Sequence, residues 1–113
     1  MTAIYGIKNC DTMKKAMNWL ETRNIPFTFH DYKKDGVPEN LLRKSLAAHG
    51  WEKVLNRRGT TWRNLSEELK AEMNDRNAIQ VAVQNPSLIK RPLLLYKDNV
   101  YLGFTDEQYE QLF

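Results

Sequence analysis

The sequence is poor in residues that staple a fold or ligate metals. Its 113 residues include one cysteine, Cys10, and two histidines, His30 and His49. A single cysteine excludes an intramolecular disulfide and any dithiol switch within the chain. One thiol and two imidazoles without ligand-like spacing give no basis for a zinc site, so no bound metal or cofactor is expected. No run approaches the ~20 apolar residues of a membrane-spanning helix, so no membrane association is expected. The first residues also lack the basic-then-apolar pattern of a secretory signal. The expected location is cytoplasmic, and a free thiol suits that reducing compartment. Excess charge is missing too: 17 Lys and Arg against 14 Asp and Glu leave a net +3. That balance is too even to argue direct nucleic-acid binding, while a basic pocket for a small anion remains compatible with it. There are no repeats, linkers or heptads, which predicts one domain and a monomer.

What is present is a clear alternation of element types. TAIYG (residues 2–6) is short, apolar and β-prone, and it reads as a buried strand ending at Gly6. From Asp11 the period changes: Met13, Ala16, Met17 and Leu20 fall at helical spacing to about Arg23, where Asn24 and Pro26 stop the run. Residues 27–32, FTFHDY, alternate as a second strand, which makes a βαβ unit with parallel strands. KKDG reads as a turn. A helix then begins at Val37-Pro38-Glu39, with proline in its first turn and Leu41, Leu42, Leu46 and Ala47 on its apolar face, and His49-Gly50 ends it. In WEKVLNRRGTTWRNL, the anchors Trp51, Val54, Leu55, Trp62 and Leu65 flank a polar NRRGTT loop. Ser66 looks like the N-cap of SEELKAEM, and another helix is expected over about Asn77–Gln84. After Asn85-Pro86-Ser87, LLLYKDNVYLGF reads as a β-hairpin turning at Lys97-Asp98-Asn99. Thr105 caps a last helix carrying Tyr109, Leu112 and Phe113.

The chemistry concentrates at YGIKNCDTMKKA. A cysteine between a strand and a helix meets unpaired backbone N–H groups and the positive end of the helix dipole. Its thiolate is favoured there, and its pKa is expected below the ~8.5 of a free thiol. Lys8, Lys14 and Lys15 add positive potential, and Asp11 opposes it. The spacing Cys10-Asp11-Thr12-Met13 puts methionine where a redox pair would have its second sulfur, so an external thiol must resolve any adduct. Arg91 precedes Pro92. If that peptide bond is cis and faces the cysteine, as in thioredoxin-type folds, the guanidinium can bind an oxyanion and hold the thiolate. The alternative is a surface arginine before a trans proline. Arg57 and Arg58 in NRRGTT either cradle an anion or form a solvated basic loop. Trp51 and Trp62 read as packing residues, and the two histidines as structural.

Taken together, YGIKNCDTMKKA, FHDYKKDG, LNRRGTTWRNL, NPSLIKRPLL and VYLGF resemble the ArsC/Spx superfamily of arsenate-reductase-like proteins, in its YffB-type branch. The resemblance runs end to end. It implies an α/β, thioredoxin-like fold: a small mixed four-stranded sheet (βαβ…ββα) with an inserted helical subdomain. The core would be about residues 1–33 and 86–113, and the insertion about 34–85. It implies catalytic Cys10, with Arg91, Arg57, Arg58, Pro92, Asn9 and Thr12 binding substrate or glutathione. The implied activity is a glutathione-dependent thiol reductase with glutathione as co-substrate and glutaredoxin as an accessory partner. Two departures argue against arsenate reduction proper. Gly6 replaces a histidine found in some reductases, and Phe104 falls near where they carry a third arginine. The resemblance leaves a second class open, a Spx-like regulator that binds the alpha subunit of RNA polymerase and performs no catalysis.

Overall fold

The computed structural model describes residues 2–113. The chain divides into two compact units, one made of the chain up to Tyr32 together with Arg91–Phe113, the other of Lys33–Lys90.

The first unit is built on a four-stranded mixed sheet, in the order β2-β1-β3-β4. Strand β1 (Thr2–Gly6) lies between β2 (Thr28–Asp31), which is parallel to it, and β3 (Leu93–Tyr96), which is antiparallel. Strand β4 (Asn99–Leu102) pairs with β3 and forms one edge. TAIYG takes a central position because it offers apolar side chains to both faces. Helix α1 (Asp11–Thr22) connects β1 to β2 and lays Met13, Ala16, Trp19 and Leu20 against Ile4 and Leu94. Trp19 is the member of this stripe that periodicity missed. Burying each such large side chain contributes about 1.5–3 kcal/mol. The chain leaves α1 through Asn24, whose φ of 56° is left-handed, a conformation that asparagine tolerates. The hairpin turn has φ of 50° at Lys97 and 63° at Asp98, the signs of a type I′ turn, and Tyr96 faces Asn99 across it.

Strand β2 is shorter than FTFHDY suggests. Tyr32 leaves the sheet to start the helical turn α2 (Tyr32–Asp35), so KKDG is not an open turn, and Gly36 then reverses the chain at φ 80°. Tyr32 is almost fully buried, and that burial anchors the bend.

In the second unit, α3 (Glu39–His49) starts at Glu39, later than expected, with Pro38 as its N-cap and not inside its first turn. Its apolar face includes Ser45 in place of Ala47. Ser45 is buried because its hydroxyl donates to the Leu41 carbonyl at 2.8 Å, while Ala47 is exposed. The stretch WEKVLNRRGTTWRNL folds into two short helices, α4 (Trp51–Val54) and α5 (Thr60–Arg63). The link between them is fixed by distant partners. Asn56 N–H donates to the Leu88 carbonyl at 2.7 Å, Lys90 N–H donates to the Val54 carbonyl at 2.8 Å, and Leu55 bridges Ile89. Helix α6 (Glu67–Ala71) is capped by Ser66, as expected, and ends before Met73. Helix α7 (Asp75–Gln84) begins earlier than Asn77 because Asn74 is its N-cap, accepting from Asn77 N–H at 2.8 Å. A 3₁₀ turn (Pro86–Leu88) closes this unit.

The last helix, α8 (Asp106–Leu112), belongs to the first unit and is capped by Thr105, which accepts from Gln108 N–H at 3.0 Å. Among the described residues no helix is long and apolar enough to cross a membrane.

Candidate functional site

The site begins where β1 runs out. Gly6 ends the strand, Ile7, Lys8 and Asn9 form a short connection, and Cys10 is the N-cap of α1 in an extended conformation (φ −138°, ψ 127°). Its carbonyl accepts from Lys14 N–H at 3.0 Å, so the residue is fixed as the helix start. An N-cap side chain faces the N–H groups of the second and third helical residues, here Thr12 and Met13. The neutral thiol makes no strict capping hydrogen bond, but the environment favours its charged form. Partial burial pushes the thiol pKa up. The Met13 N–H, a hydrogen bond from Arg91, the Thr12 N–H and the Arg91 charge together outweigh it, so Cys10 sits below its ordinary value. The lysines expected to assist, Lys8, Lys14 and Lys15, are exposed, as is Asp11. The shift comes from backbone and Arg91 instead.

Arg91 reaches the thiol from the other end of the chain. It is half-buried, and its peptide bond to the fully buried Pro92 is cis. Pro92 accepts from Gly103 N–H at 2.9 Å, and the next residue, Leu93, pairs with Tyr5 of β1. That pairing brings residue 91 past the end of β1, the end from which α1 departs. Of the residues picked out by sequence, Cys10, Thr12, Arg91 and Pro92 therefore meet around one strand end, with Asn9 exposed in the loop before the cysteine.

Two residues, Tyr5 and Tyr32, escaped the sequence reading, and the second feels the Arg91 charge. Tyr5 stacks on His30 at 4.6 Å between ring centroids and lies 6.5 Å from Tyr32. Burial pushes the Tyr32 phenol well above its ordinary range. Tyr5 pushes it in the same direction, and the Arg91 charge works against both. The signal was the alternation in FTFHDY, which puts His30 and Tyr32 on one side, but only the β1–β2 register shows that Tyr5 joins them.

Arg57 and Arg58 lie in the second unit. There Arg57 pairs with Glu52 at 3.7 Å and stands 5.5 Å over the Trp51 ring, which stacks on Trp62 at 5.9 Å. Arg58 N–H donates to Asn56 Oδ1 at 3.1 Å, closing a local turn. Phe104 packs edge-on to Tyr109 at 4.7 Å and serves the core of the first unit.

Comparison with known proteins agrees with this architecture. The chain is 43% identical over 113 residues to an uncharacterized protein of Haemophilus influenzae, covering 100% of this chain and 99% of the relative. It is 23% identical over 110 residues to the global transcriptional regulator Spx 1 of Oceanobacillus iheyensis, covering 96% and 83%. Among solved structures it superposes on the YFFB (PA3664) protein with a TM-score of 0.94 and 44% identity, covering 98% and 97%. On an arsenate reductase (ArsC) related protein from Brucella melitensis the TM-score is 0.78 at 45% identity, covering 97% and 92%. The sequence pattern of the ArsC family matches residues 5–112, so the chain belongs to the ArsC family, within the YffB-type branch of the ArsC/Spx superfamily.

Proposed function

We propose that this chain is a glutathione-dependent thiol reductase working through one cysteine. The observation that carries the reading is Cys10 at the N-cap of α1 with Arg91 brought to the same strand end, an arrangement that favours the thiolate. In the first step the Cys10 thiolate attacks the glutathione sulfur of a mixed disulfide. The substrate S–S bond breaks, a Cys10–glutathione disulfide forms, and the substrate leaves as a thiolate that takes a proton from water. In the second, a glutathione thiolate attacks that glutathione sulfur, so oxidised glutathione leaves and Cys10 is again a thiolate. A glutaredoxin can supply the thiol of the second step. With Met13 at the fourth position of the motif, the resolving thiol comes from outside the chain. Arg91 binds a carboxylate of glutathione or the departing thiolate, with Asn9 and Thr12 completing the contacts.

The test is turnover of a glutathionylated peptide with free glutathione, followed as oxidised glutathione. Wild type is expected to turn over, Cys10→Ser to be inactive and Arg91→Ala to be at least about tenfold slower. Equal rates for wild type and Cys10→Ser would sink the reading. A second reading, a regulator binding the alpha subunit of RNA polymerase, draws support from the Spx relatives that match nearly the whole chain. Retention of the C-terminal domain of polymerase alpha by both wild type and Cys10→Ser, without peptide turnover, would select it. Arsenate reduction is the least favoured, since Phe104 is committed to packing.

A further inference from the structure

β1 and α1 meet at a contact whose two sides are Gly6 and Met13. A Cβ placed on Gly6 would lie 2.5 Å from Met13 Sδ, 2.9 Å from Cε and 3.4 Å from Cγ. The thioether therefore fills the space a side chain at residue 6 would need. Met13 is fully buried in the cluster with Ile4, Ala16, Leu94 and Tyr109, and Cys10 packs against the same cluster. Residue 13 is also the third residue of α1, the position whose N–H an N-cap side chain ordinarily faces, and its N–H is among the groups that favour the Cys10 thiolate.

We propose that Met13 is a positioning residue for Cys10: seated in the notch left by Gly6, its side chain fixes the first turn of α1 so that its own N–H faces the sulfur. A methionine is pliable and could in principle swing away from a larger neighbour. Here it is fully buried among packed neighbours, so a Cβ at residue 6 displaces a thioether that has no open space beside it and disturbs the packing that seats the helix start. The same geometry accounts for glycine at position 6, where any side chain would compete with the thioether. The inference rests on the reading of Cys10 as nucleophile only for its consequence in turnover. The placement of the sulfur is a property of the free protein.

The experiment follows two signals in the full chain without substrate: the pH midpoint of Cys10 alkylation and the pH-dependent shift of the residue 13 backbone amide by NMR. In wild type the two midpoints are expected to coincide. Gly6→Ala and Met13→Ala are each expected to raise the alkylation midpoint by about half a unit to one unit and to cut the amide's shift at least about twofold. Met13→Leu, which keeps a buried side chain of similar volume, is expected to stay within about 0.3 unit of wild type. None of these substitutions touches Arg91, the charged group acting on the sulfur. If Gly6→Ala does not fold, Met13→Ala against Met13→Leu makes the same comparison. Lowered thermal stability with an unchanged midpoint and amide shift would overturn the proposal and leave Met13 an ordinary core residue. Because no turnover is measured, that result is distinct from an inactive wild type, which would count against the reductase reading alone.

Discussion

At the scale of single residues, the site is a balance between burial, which resists charge on Cys10, and donors that reward it. Arg91 contributes both a hydrogen bond and a charge, and the two can be separated. Arg91→Lys retains charge but loses the planar fork, and Arg91→Ala loses both. Alkylation rates at pH 7 are expected to fall in the order wild type, Arg91→Lys, Arg91→Ala, and an unchanged rate in Arg91→Ala would remove Arg91 from the site. The same balance links the thiol to stability. Because the folded pKa is depressed, the contribution is present above the ordinary thiol pKa and is lost as pH falls through the folded value. The stability difference between wild type and Cys10→Ser, from urea unfolding, should therefore rise with pH and level off above about 8.5. Cys10 and Arg91 were legible in the sequence because local grammar marks both: a polar loop between strand and helix, and an Arg-Pro pair before an apolar run. Tyr5 and Tyr32 were not, since their meeting depends on how β1 and β2 register.

At the scale of elements, the strands and long helices followed from periodicity and caps, with Ser66 and Thr105 accepting the N–H groups expected of them. Misreadings fell where a distant partner decides the local shape. Before the NRRGTT loop, hydrogen bonds from Asn56 to Leu88 and from Lys90 to Val54 pin the end of α4, and these partners lie more than 30 residues away in sequence. The hairpin shows the opposite case, where local chemistry is unfavourable and the fold imposes the turn. Lys97 and Asp98 both adopt positive φ, which costs a residue with a Cβ. Replacing the pair with Asn-Gly should stabilise the protein by about 0.5–1 kcal/mol, since those residues suit a type I′ turn. Thermal unfolding of Lys97→Asn/Asp98→Gly checks it: an unchanged or lowered midpoint would mean that the native side chains supply a compensating contact, such as that of Lys97 with the Tyr96 ring at 5.3 Å.

At the scale of the molecule, a single cysteine excludes an internal disulfide, buried side chains carry much of the stability, and two of the largest in the first unit are tyrosines. Burial pushes both Tyr32 and Tyr109 above the ordinary phenol range. A pKa raised on folding means that the neutral phenol is the form the fold accommodates. Its contribution is complete below the unfolded value of about 10 and is lost as pH rises beyond it. Stability from urea unfolding is therefore expected to fall above about pH 10, in a range where Cys10 no longer adds any pH dependence. Tyr109 allows its share to be isolated. Its ring packs between Trp19 at 5.5 Å and Phe104 at 4.7 Å, and its buried hydroxyl has no hydrogen-bond partner among the described residues. Tyr109→Phe keeps the ring contacts and removes a buried polar atom, so neutral-pH stability should be unchanged or higher by up to about 1 kcal/mol. The alkaline fall should be shallower in Tyr109→Phe than in wild type, because one of the two buried phenols can no longer ionise. A variant that is clearly less stable at pH 7 would show that the hydroxyl is engaged after all, and an unaltered alkaline slope would assign the fall to Tyr32.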